Sequence, residues 1–492
     1  MGNFKLLPDL QMVKKISKNY DIIPLSFEIL ADFTTPILLL RKIMAKSSRF
    51  FLLESVEGGE KWGRYSFIGF DPKSVLKVNK GICKVEDEKE VKSFKGDAVS
   101  AVRKLISKKK AFTCKELPIF TGGAVGYFGY DTFFYNESFL TSANTKVDVP
   151  DCLMMRFDDI IAFDHIRQKL IVIINIDTSK NIEQEYEKAT KKAEEYEEFI
   201  KAQYIPLPNK SEEKPSFKSN KSYQDFCKMV DKCKEYIKNG DIFQAVLSQR
   251  FEADYNSDLM NFYRALRTIN PSPYMYFMKC DDIEVAGASP ETLVRVQDEE
   301  IFTFPIAGTR KRGENEEKDK EIQSELLSDP KEIAEHNMLV DLARNDVGRV
   351  AEIGSVSVEK YMSVQKYSHV MHITSEVKGK KRMDFDSLDV LSSILPAGTL
   401  SGAPKIRAAE IIDELEGENR GIYGGGLGYI SYSGNLDFAI TIRTAVKLKN
   451  KVYVQAGGGI VLDSVPEKEY EESINKASAV IKAFELSAEI ER

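Results

Sequence analysis

Two short segments of the sequence each carry a pair of glutamates three residues apart. They are Glu332 and Glu335 in PKEIAEH, and Glu469 and Glu472 in EKEYEES. A spacing of three places both side chains on one face of a helix, where like charges repel. Carboxylate oxygens suit Mg²⁺, which usually takes one or two carboxylates together with an anionic substrate. Two solvated amphipathic helices also explain the spacing, so the choice depends on the neighbouring segments.

Glycine-rich segments near the glutamates could hold an anion. The segment QAGGGIVLDS contains Gly457, Gly458 and Gly459 and predicts a nest of backbone N–H groups. The segment 398–412, GTLSGAPKIRAAEII, predicts a turn entering a helix whose N-terminus can hold a carboxylate. Arg443, predicted to lie in the strand TIRTAV, can bind a second carboxylate through two hydrogen bonds or can face solvent. These features together predict a small dicarboxylate held with Mg²⁺.

The composition excludes several classes of protein. The formal net charge of −6 argues against a general polyanionic partner such as DNA or RNA. The six cysteines show no metal-binding spacing and are typical of reduced thiols. The N-terminal segment MGNFKLLPDL has no apolar signal core, and the apolar run PILLLRKIMA is too short to span a membrane. We therefore expect a soluble, cytoplasmic protein with no nucleic-acid and no membrane partner.

One change in composition divides the chain. Segment 206–221, PLPNKSEEKPSFKSNK, has no periodicity and predicts a linker or surface loop. It separates an N-terminal region, 1–205, from a C-terminal region, 222–492. After the linker, short strand-like runs alternate with helices predicted at 258–269, 315–328, 331–346, 403–416 and 467–486. This arrangement predicts an α+β architecture rather than a βαβ array.

Six long motifs of the C-terminal region resemble those of the chorismate-utilising enzymes, and they occur in the same order. They are PIAGTRKRG, AEHNMLVDLARNDVGRV, LPAGTLSGAPKIRA, IYGGGLGYI, DFAITIRTAV and QAGGGIVLDSVPEKEYEESINKA. Upstream, segments 52–69 and 120–131 resemble the N-terminal half of anthranilate synthase component I. The resemblance implies two large orthogonal antiparallel β-sheets that form a sandwich with helices packed outside and an active site in the cleft between layers.

The resemblance also implies roles for the acidic residues. Glu335 and Glu472 would bind Mg²⁺, and Glu332 and Glu469 would support it through water. Glu291, in GASPE, resembles the general acid that protonates the departing C4 hydroxyl of chorismate. That task requires a raised pKa, which burial beside apolar residues could supply.

The same resemblance places further residues around the substrate. Tyr423 and Arg443 would contact the pyruvyl carboxylate, and His372, in HVMHITS, would serve the loss of pyruvate. Thr399 and Lys476 are expected to be catalytic. The remaining substrate-binding residues implied are glycines and one threonine, namely Gly308, Thr309, Gly457, Gly458 and Gly459.

Two positions distinguish members of the family. Gln244 lies where water-adding enzymes carry a lysine, because water needs a base and ammonia does not. Ala307, in PIAGT, lies where aminodeoxychorismate synthases carry a nucleophilic lysine. The implied reaction is therefore attack of ammonia on chorismate to give anthranilate and pyruvate. The ammonia would come from a separate glutamine amidotransferase subunit.

Two alternatives remain open at the level of sequence. The first is aminodeoxychorismate synthase component I of the folate pathway, against which Ala307 is the opposing feature. The second is an amino-acid-sensing homologue that has lost catalysis. The joint presence of the proposed acid, metal ligands, arginine and histidine argues against this second alternative.

A pair of segments resembles the L-tryptophan feedback site of anthranilate synthases. They are LLES at 52–55 and NPSPYMYF at 270–277. Glu54 could accept the ammonium group of the ligand, and Ser55 offers a hydroxyl. Backbone and an apolar wall for an indole would come from three residues, Pro273, Tyr274 and Met275. An ordinary pair of strands is the alternative.

Overall fold

Two twelve-stranded antiparallel sheets form the centre of the fold. The computed structural model describes residues 5–55, 63–107, 109–135, 147–204, 214–366 and 370–490. The strands are β1 (Ile22–Leu30), β2 (Arg49–Glu54), β3 (Tyr65–Phe70), β4 (Ser74–Asn79), β5 (Ile82–Asp87), β6 (Val91–Lys95), β7 (Gly123–Phe128), β8 (Cys152–Phe157), β9 (Asp159–Asp164), β10 (Lys169–Asp177), β11 (Lys218–Ser219), β12 (Gln244–Asp254), β13 (Tyr274–Cys280), β14 (Ile283–Ser289), β15 (Thr292–Gln297), β16 (Glu300–Thr303), β17 (Ile306–Lys311), β18 (Ser357–Lys366), β19 (Val370–Lys380), β20 (Gly402–Ala403), β21 (Gly426–Ser431), β22 (Leu436–Ile440), β23 (Thr444–Leu448) and β24 (Lys451–Ile460).

Helices cover the sheets. They are α1 (Leu10–Ile16), α2 (Pro36–Met44), α3 (Ala98–Ile106), α4 (Ile182–Lys201), α5 (Tyr223–Lys238), α6 (Met260–Ile269), α7 (Glu316–Leu326), α8 (Pro330–Gly348), α9 (Ser387–Ile394), α10 (Lys405–Glu416) and α11 (Pro466–Ser487). Each of the five helices predicted after the linker is present, so the α+β prediction is confirmed. Within the described ranges, no helix is both long and apolar enough to cross a membrane.

Both sheets run continuously through the two sequence regions. The first sheet has the order β1-β10-β9-β3-β2-β13-β14-β23-β24-β12-β11, with β20 paired to β12. The second has the order β17-β19-β16-β15-β22-β21-β7-β8-β4-β5-β6, with β18 paired to β19. The regions before and after the linker therefore share both sheets through the pairs β2–β13 and β7–β21.

The linker predicted at 206–221 is only partly described. Residues 206–213 lie outside the described ranges. Lys218 and Ser219 form β11, which pairs with the far end of β12 opposite Glu252 and Phe251. This end of the predicted loop is therefore part of the first sheet.

The core has three apolar layers, as the alternation along β8 illustrates. Cys152 and Met154 face the cluster between the second sheet and helices α3, α8 and α9. Leu153 and Met155 face the cluster between the two sheets. Successive side chains of a strand point to opposite faces, so a strand that is apolar throughout predicts burial on both sides. A third cluster lies between the first sheet and its own helices.

The chain crosses from one sheet to the other at two adjacent points. Strand β14 of the first sheet leads into β15 of the second through Pro290 and Glu291. Strand β22 of the second leads into β23 of the first through 441–443. The crossings are hydrogen-bonded to each other, because Ile440 N–H donates to the Glu291 carbonyl and Ala288 N–H donates to the Arg443 carbonyl.

Candidate active site

A cavity of about 540 Å³ collects the residues that the sequence predicted for substrate and metal. Its walls come from β12, β17, β24, α8, α11 and the two crossings. The predicted residues that line it are Gln244, Glu291, Gly308, Thr309, Glu332, Glu335, Thr399, Tyr423, Arg443, Gly457, Gly458, Gly459, Glu469, Glu472 and Lys476. His372 lines an adjoining cavity of about 520 Å³, which shares Arg443, Glu472 and Lys476 with the first.

The two crossings place an acid and a guanidinium side by side. Glu291 follows Pro290, and Arg443 lies between β22 and β23 with φ of +50°. The prediction that Arg443 lies within a strand is therefore wrong. The apolar run around Arg443 is divided between β22 of the second sheet and β23 of the first. Arg443 lies between these strands and belongs to neither. The left-handed conformation costs a non-glycine residue energy and is typical of functional positions.

The environment of Glu291 agrees with an acid that holds its proton. The side chain is 9% exposed. Burial raises the pKa of Glu291 to about 8, while the Thr399 hydroxyl and the Arg443 guanidinium oppose the rise. A buried carboxyl group favours its neutral form because desolvation penalises the charged one. Glu291 is therefore protonated near neutral pH.

Gln244 lies at the start of β12 with its amide directed against the glycine strand. Its side chain is buried, and its Oε1 atom has no hydrogen-bond partner among the described residues. A Cβ atom at Gly459 would lie 2.2 Å from Gln244 Nε2. Only glycine therefore leaves room for this amide. A buried carbonyl oxygen without a partner is an acceptor that a donor in the cavity can satisfy.

The three glycines do not form the predicted nest. They continue β24, where Gly457, Gly458 and Gly459 pair with Ser248, Leu247 and Val246 of β12. Their backbone is an extended strand, so the nest prediction is wrong. The N–H groups of Gly457 and Gly459 point away from β12, because their partners Ser248 and Val246 donate to Glu416 and to the Ser401 carbonyl instead. The absence of Cβ atoms has another use, since a Cβ at Gly458 would lie 3.3 Å from Glu469 Oε2 and 3.5 Å from Glu472 Oε1.

The segment 398–412 also differs from its prediction. Gly398–Leu400 forms a single 3-10 turn, and the helix begins only at Lys405. Thr399 and Leu400 line the cavity, whereas the first turn of α10 does not. The N-terminus of this helix is therefore not the anion-holding device that the glycine pattern predicted.

The four glutamates face the cavity from two helices. Glu332 and Glu335 lie on α8, and Glu469 and Glu472 lie on α11. Burial raises the pKa of Glu335, and the charge of Glu332 adds to the rise. Burial also raises the pKa of Glu469. Desolvation is the larger cause of both rises, and repulsion from the neighbouring glutamate is the smaller one.

Two of the glutamates already have cationic neighbours. Glu332 accepts a hydrogen bond from Arg310 at 2.9 Å. Glu472 forms an ion pair with Lys476 at 2.8 Å, and the same ammonium donates to the Gly457 carbonyl at 3.0 Å. Gly308 adopts φ of +62° at a bulge in β17, and a Cβ there would lie 3.0 Å from Glu332 Oε2. The bulge therefore brings the backbone close to this carboxylate.

The donor set can be compared with the requirements of a metal. Among the described residues, no three His, Cys, Asp or Glu side chains are arranged to enclose an ion. An enclosed protein cage is not what Mg²⁺ requires, because it keeps several waters and takes one or two carboxylates. All-oxygen donors at the edge of a cavity therefore fit this ion.

His372 is fixed by its neighbour across the sheet. Thr309 lies opposite it in the register of β17 and β19. The Nδ1 atom of His372 lies 3.1 Å from the Gly308 carbonyl and 3.0 Å from Thr309 Oγ1. A carbonyl can only accept, so Nδ1 carries the proton and Nε2 is the basic nitrogen. Burial lowers the pKa of His372, so the ring is neutral near pH 7.

His336 directly follows Glu335 and contacts strand β19. It is fully buried on α8, and its Nε2 atom lies 2.6 Å from Ser375 Oγ. Burial lowers the pKa of His336 to about 4. It does not line the cavity.

Several cavity residues were not predicted. Lys331 and Gln455 supply polar groups, and Gln455 Nε2 donates to Ser248 Oγ at 2.8 Å. Lys331 directly precedes Glu332, so the glutamate motif could have identified it. Gln455 lies two residues before Gly457 in β24, so the two residues share one face of the strand. The strand pattern identifies Gln455 once the cavity face is known. The apolar walls include Val246, Leu339, Val461 and Val480.

A separate cavity of about 410 Å³, which we call the second cavity, lies between the two sheets. Its lining includes all the residues predicted for an inhibitor, namely Glu54, Ser55, Pro273, Tyr274 and Met275. Glu54 and Met275 are cross-strand neighbours in β2 and β13. An aromatic wall that was not predicted comes from Tyr65, Phe67 and Tyr429.

The carboxylate of Glu54 is buried and already held by α6. Tyr263 donates to it at 2.7 Å, and Arg267 forms an ion pair with it at 2.8 Å. Ser66 and Arg267 also reach its second oxygen, at 3.4 and 3.5 Å, so the ammonium group of a ligand would compete with these donors. Met275 belongs to the core beneath the helices, so the indole-sized wall is the aromatic one.

Comparison with known proteins identifies the family of this chain. The family model of the chorismate binding enzyme matches residues 49–482. Anthranilate synthase component 1 of Acetivibrio thermocellus is 48% identical over 98% of this chain and 99% of that protein. The corresponding protein of Aquifex aeolicus is 47% identical over 98% of each chain. The crystal structure of anthranilate synthase component I from Streptococcus pneumoniae TIGR4 superposes with a TM-score of 0.76 at 37% identity, covering 92% of this chain and 99% of that one. The chain therefore belongs to the chorismate binding enzymes, and within them to the anthranilate synthase component 1 family.

Proposed function

We propose that this protein converts chorismate and ammonia to anthranilate and pyruvate, the first committed step of tryptophan biosynthesis. One observation carries the proposal. Glu291 and Arg443 lie side by side at the sheet crossings, in a cavity that also contains four glutamates and Gln244. This arrangement provides an acid for a leaving hydroxyl and a cation for a carboxylate.

The first stage forms one bond and breaks another. Ammonia attacks C2 of the ring, and the C4 hydroxyl leaves as water after taking the proton of Glu291. Gln244 offers a carbonyl oxygen to an N–H group and no base, which suits ammonia better than water. Ala307 lines the cavity and has no amine, so the nitrogen must come from solution or from a partner.

The second stage releases pyruvate and makes the ring aromatic. It requires a base for a ring proton, and neutral His372 with its basic Nε2 is suited to that role. Tyr423 and Arg443 would hold the pyruvyl carboxylate during both stages. Lys476 and Thr399 complete the polar wall.

Mg²⁺ is the cofactor we propose. When bound, it supplies positive charge that holds the ring carboxylate of chorismate. Glu335 and Glu472 would bind the ion, and Glu332 and Glu469 would support it through water. The raised pKa values of Glu335 and Glu469 support this assignment, since a bound cation would offset the cost of burying these carboxylates and the repulsion from their neighbours.

We further propose that a glutamine amidotransferase subunit supplies the ammonia and that the protein acts in the cytoplasm. The names of the relatives number them as component 1, which supports a second component. The six cysteines are free thiols, as expected for a reducing compartment.

The direct test is to incubate the protein with chorismate, Mg²⁺ and ammonium and to follow anthranilate fluorescence. We expect anthranilate and pyruvate in equal amounts. Glutamine should replace ammonium only when the amidotransferase subunit is added. Accumulation of 4-amino-4-deoxychorismate would instead support the folate-pathway alternative, and no consumption of chorismate would contradict both.

L-Tryptophan is the inhibitor we propose for the second cavity. The segment 270–273 gives the physical connection, because it lines the cavity of His372 and Pro273 also lines the second cavity. Asn270 Oδ1 accepts a hydrogen bond from Arg443 at 3.3 Å. A ligand that moves this segment changes the position of Arg443. It inhibits only if it binds the less active arrangement more tightly.

Replacing Ser55 by phenylalanine should abolish this inhibition. The larger side chain fills the second cavity at its edge and leaves the active-site cavity unchanged. We expect full activity without tryptophan and no inhibition with it. Titration of tryptophan against the initial rate decides the matter. Ser55→Ala removes only the hydroxyl and should still be inhibited, at higher tryptophan concentration than the wild type. Identical curves for Ser55→Phe and wild type would place the site elsewhere.

A further inference from the structure

Arg420 and Glu416 form a buried ion pair behind the wall of the active-site cavity. Arg420 is 5% exposed and Glu416 is 4% exposed. Nε and Nη2 of Arg420 donate to the Glu416 carboxylate at 2.9 and 2.6 Å. Neither residue is among those that line the cavity. Buried charges are costly unless their hydrogen bonds are satisfied, so the other partners of this pair indicate what it does.

The remaining hydrogen bonds of Arg420 hold two backbone carbonyls of the cavity wall. Nη1 donates to the Leu400 carbonyl and Nη2 to the Val246 carbonyl, both at 2.6 Å. Leu400 directly follows Thr399 in the 3-10 turn. The guanidinium therefore fastens the turn that carries Thr399 to β12. A lysine has one nitrogen in place of the planar fork and cannot make these contacts together.

Glu416 connects the same network to Gln455, which also lines the active-site cavity. Its Oε1 atom accepts hydrogen bonds from the N–H and the hydroxyl of Ser248, both at 2.8 Å. Because the hydroxyl donates its proton to Glu416, it accepts from Gln455, whose Nε2 lies 2.8 Å away. The amide of Gln455 is therefore fixed with its nitrogen toward Ser248.

The N-terminal region supports the loop that carries Arg420. The guanidinium lies 4.6 Å from the ring centre of Tyr130. The neighbouring Asp131 accepts a hydrogen bond from the Gly421 N–H at 2.7 Å. The loop then leads to Tyr423, which lines the cavity. Residues from both sequence regions therefore hold the loop at Arg420 and Gly421 in place.

We propose that Arg420 is a positioning residue, which acts on the reaction through Thr399 by holding the 3-10 turn in place beside Glu291. The inference rests on the proposed function. It is supported by the position of Thr399, which lines the same cavity as Glu291 and directly precedes Leu400, whose carbonyl Arg420 holds. A shift of the turn would therefore move Thr399 relative to the acid within this cavity.

The test is a double-mutant cycle in kcat with Arg420→Lys and Thr399→Val. We expect Arg420→Lys to lower kcat by about 100-fold, as a misplaced catalytic group does, with little change in KM for chorismate. Thr399→Val should also lower kcat. The double variant should be no slower than the slower single variant, because both changes remove one interaction.

The matched control is Arg250→Lys, in another buried arginine that pairs with a glutamate, Glu418. It should change kcat little. Losses that multiply in the double variant, or an equal loss in Arg250→Lys, would overturn the proposal. If Arg420→Lys unfolds at the assay temperature, Glu416→Gln takes its place in the same cycle. A wild-type protein that makes no anthranilate would contradict the proposed function instead, so the two failures are distinguishable.

Discussion

Replacing Glu291 by glutamine should abolish anthranilate formation, with a loss of about 10²–10⁴-fold in kcat, the usual contribution of a general acid. Glutamine keeps the size of the side chain and removes the acidic proton. The C4 hydroxyl would then have to leave as hydroxide, which is a far poorer leaving group than water. Initial rates with ammonium as nitrogen source measure the loss, and thermal unfolding shows whether the fold is intact.

The pH dependence gives a second readout for the same residue. The reaction needs Glu291 protonated, and its pKa is raised to about 8 by burial. At a fixed concentration of free ammonia, the rate should therefore fall as the pH rises through this value. Glu291→Asp should keep a descending limb with a lower maximum, and Glu291→Gln should lose it. A glutamine variant with the wild-type rate would show that another group supplies the proton.

Replacing Glu335 or Glu472 by glutamine should have a comparably large effect. Each change removes one charge from a proposed ligand of Mg²⁺, and we expect a loss of about 100-fold or more in kcat/KM at low Mg²⁺. The amide binds the ion more weakly, so higher Mg²⁺ should restore part of the rate. Measuring initial rates across a Mg²⁺ titration tests both expectations.

Glu467→Gln is the matched control for this second prediction. It lies on the same helix as Glu472 and does not line the cavity. We expect its Mg²⁺ dependence to match that of the wild type. Undiminished turnover of the wild type in excess chelator would remove Mg²⁺ from the mechanism.

The sequence predicted best what depends on local periodicity. Both glutamate pairs lie on helices, and in a helix residues three apart share one face. All five helices predicted after the linker are present, and two of them begin at a side-chain cap, Asn315 and Asp329. The cavity residues named by the family motifs were also brought together.

Features that depend on distant pairing were not predictable in this way. Arg443 lies in a run of strand-forming residues, and only the sheet order shows that the run is divided between two sheets. The triple glycine has the composition of an anion-binding loop, and its pairing with β12 makes it a strand. Strand β18 is mostly exposed, so no apolar alternation announces it.

Arg420 illustrates a different limit. Charged residues are usually exposed, and a sequence gives no sign that this one is buried. Its partners, Glu416 and the carbonyls of Val246 and Leu400, come from three separate parts of the chain. Only the folded arrangement shows that they meet behind the cavity.

The sharing of both sheets between the two regions affects how the protein is made. During translation, β2 presents an open edge until β13 has been synthesised, and β7 presents one until β21 has followed. Open strand edges pair readily with other chains and promote aggregation. The newly made N-terminal region therefore exposes two unpaired strand edges until the C-terminal strands emerge from the ribosome.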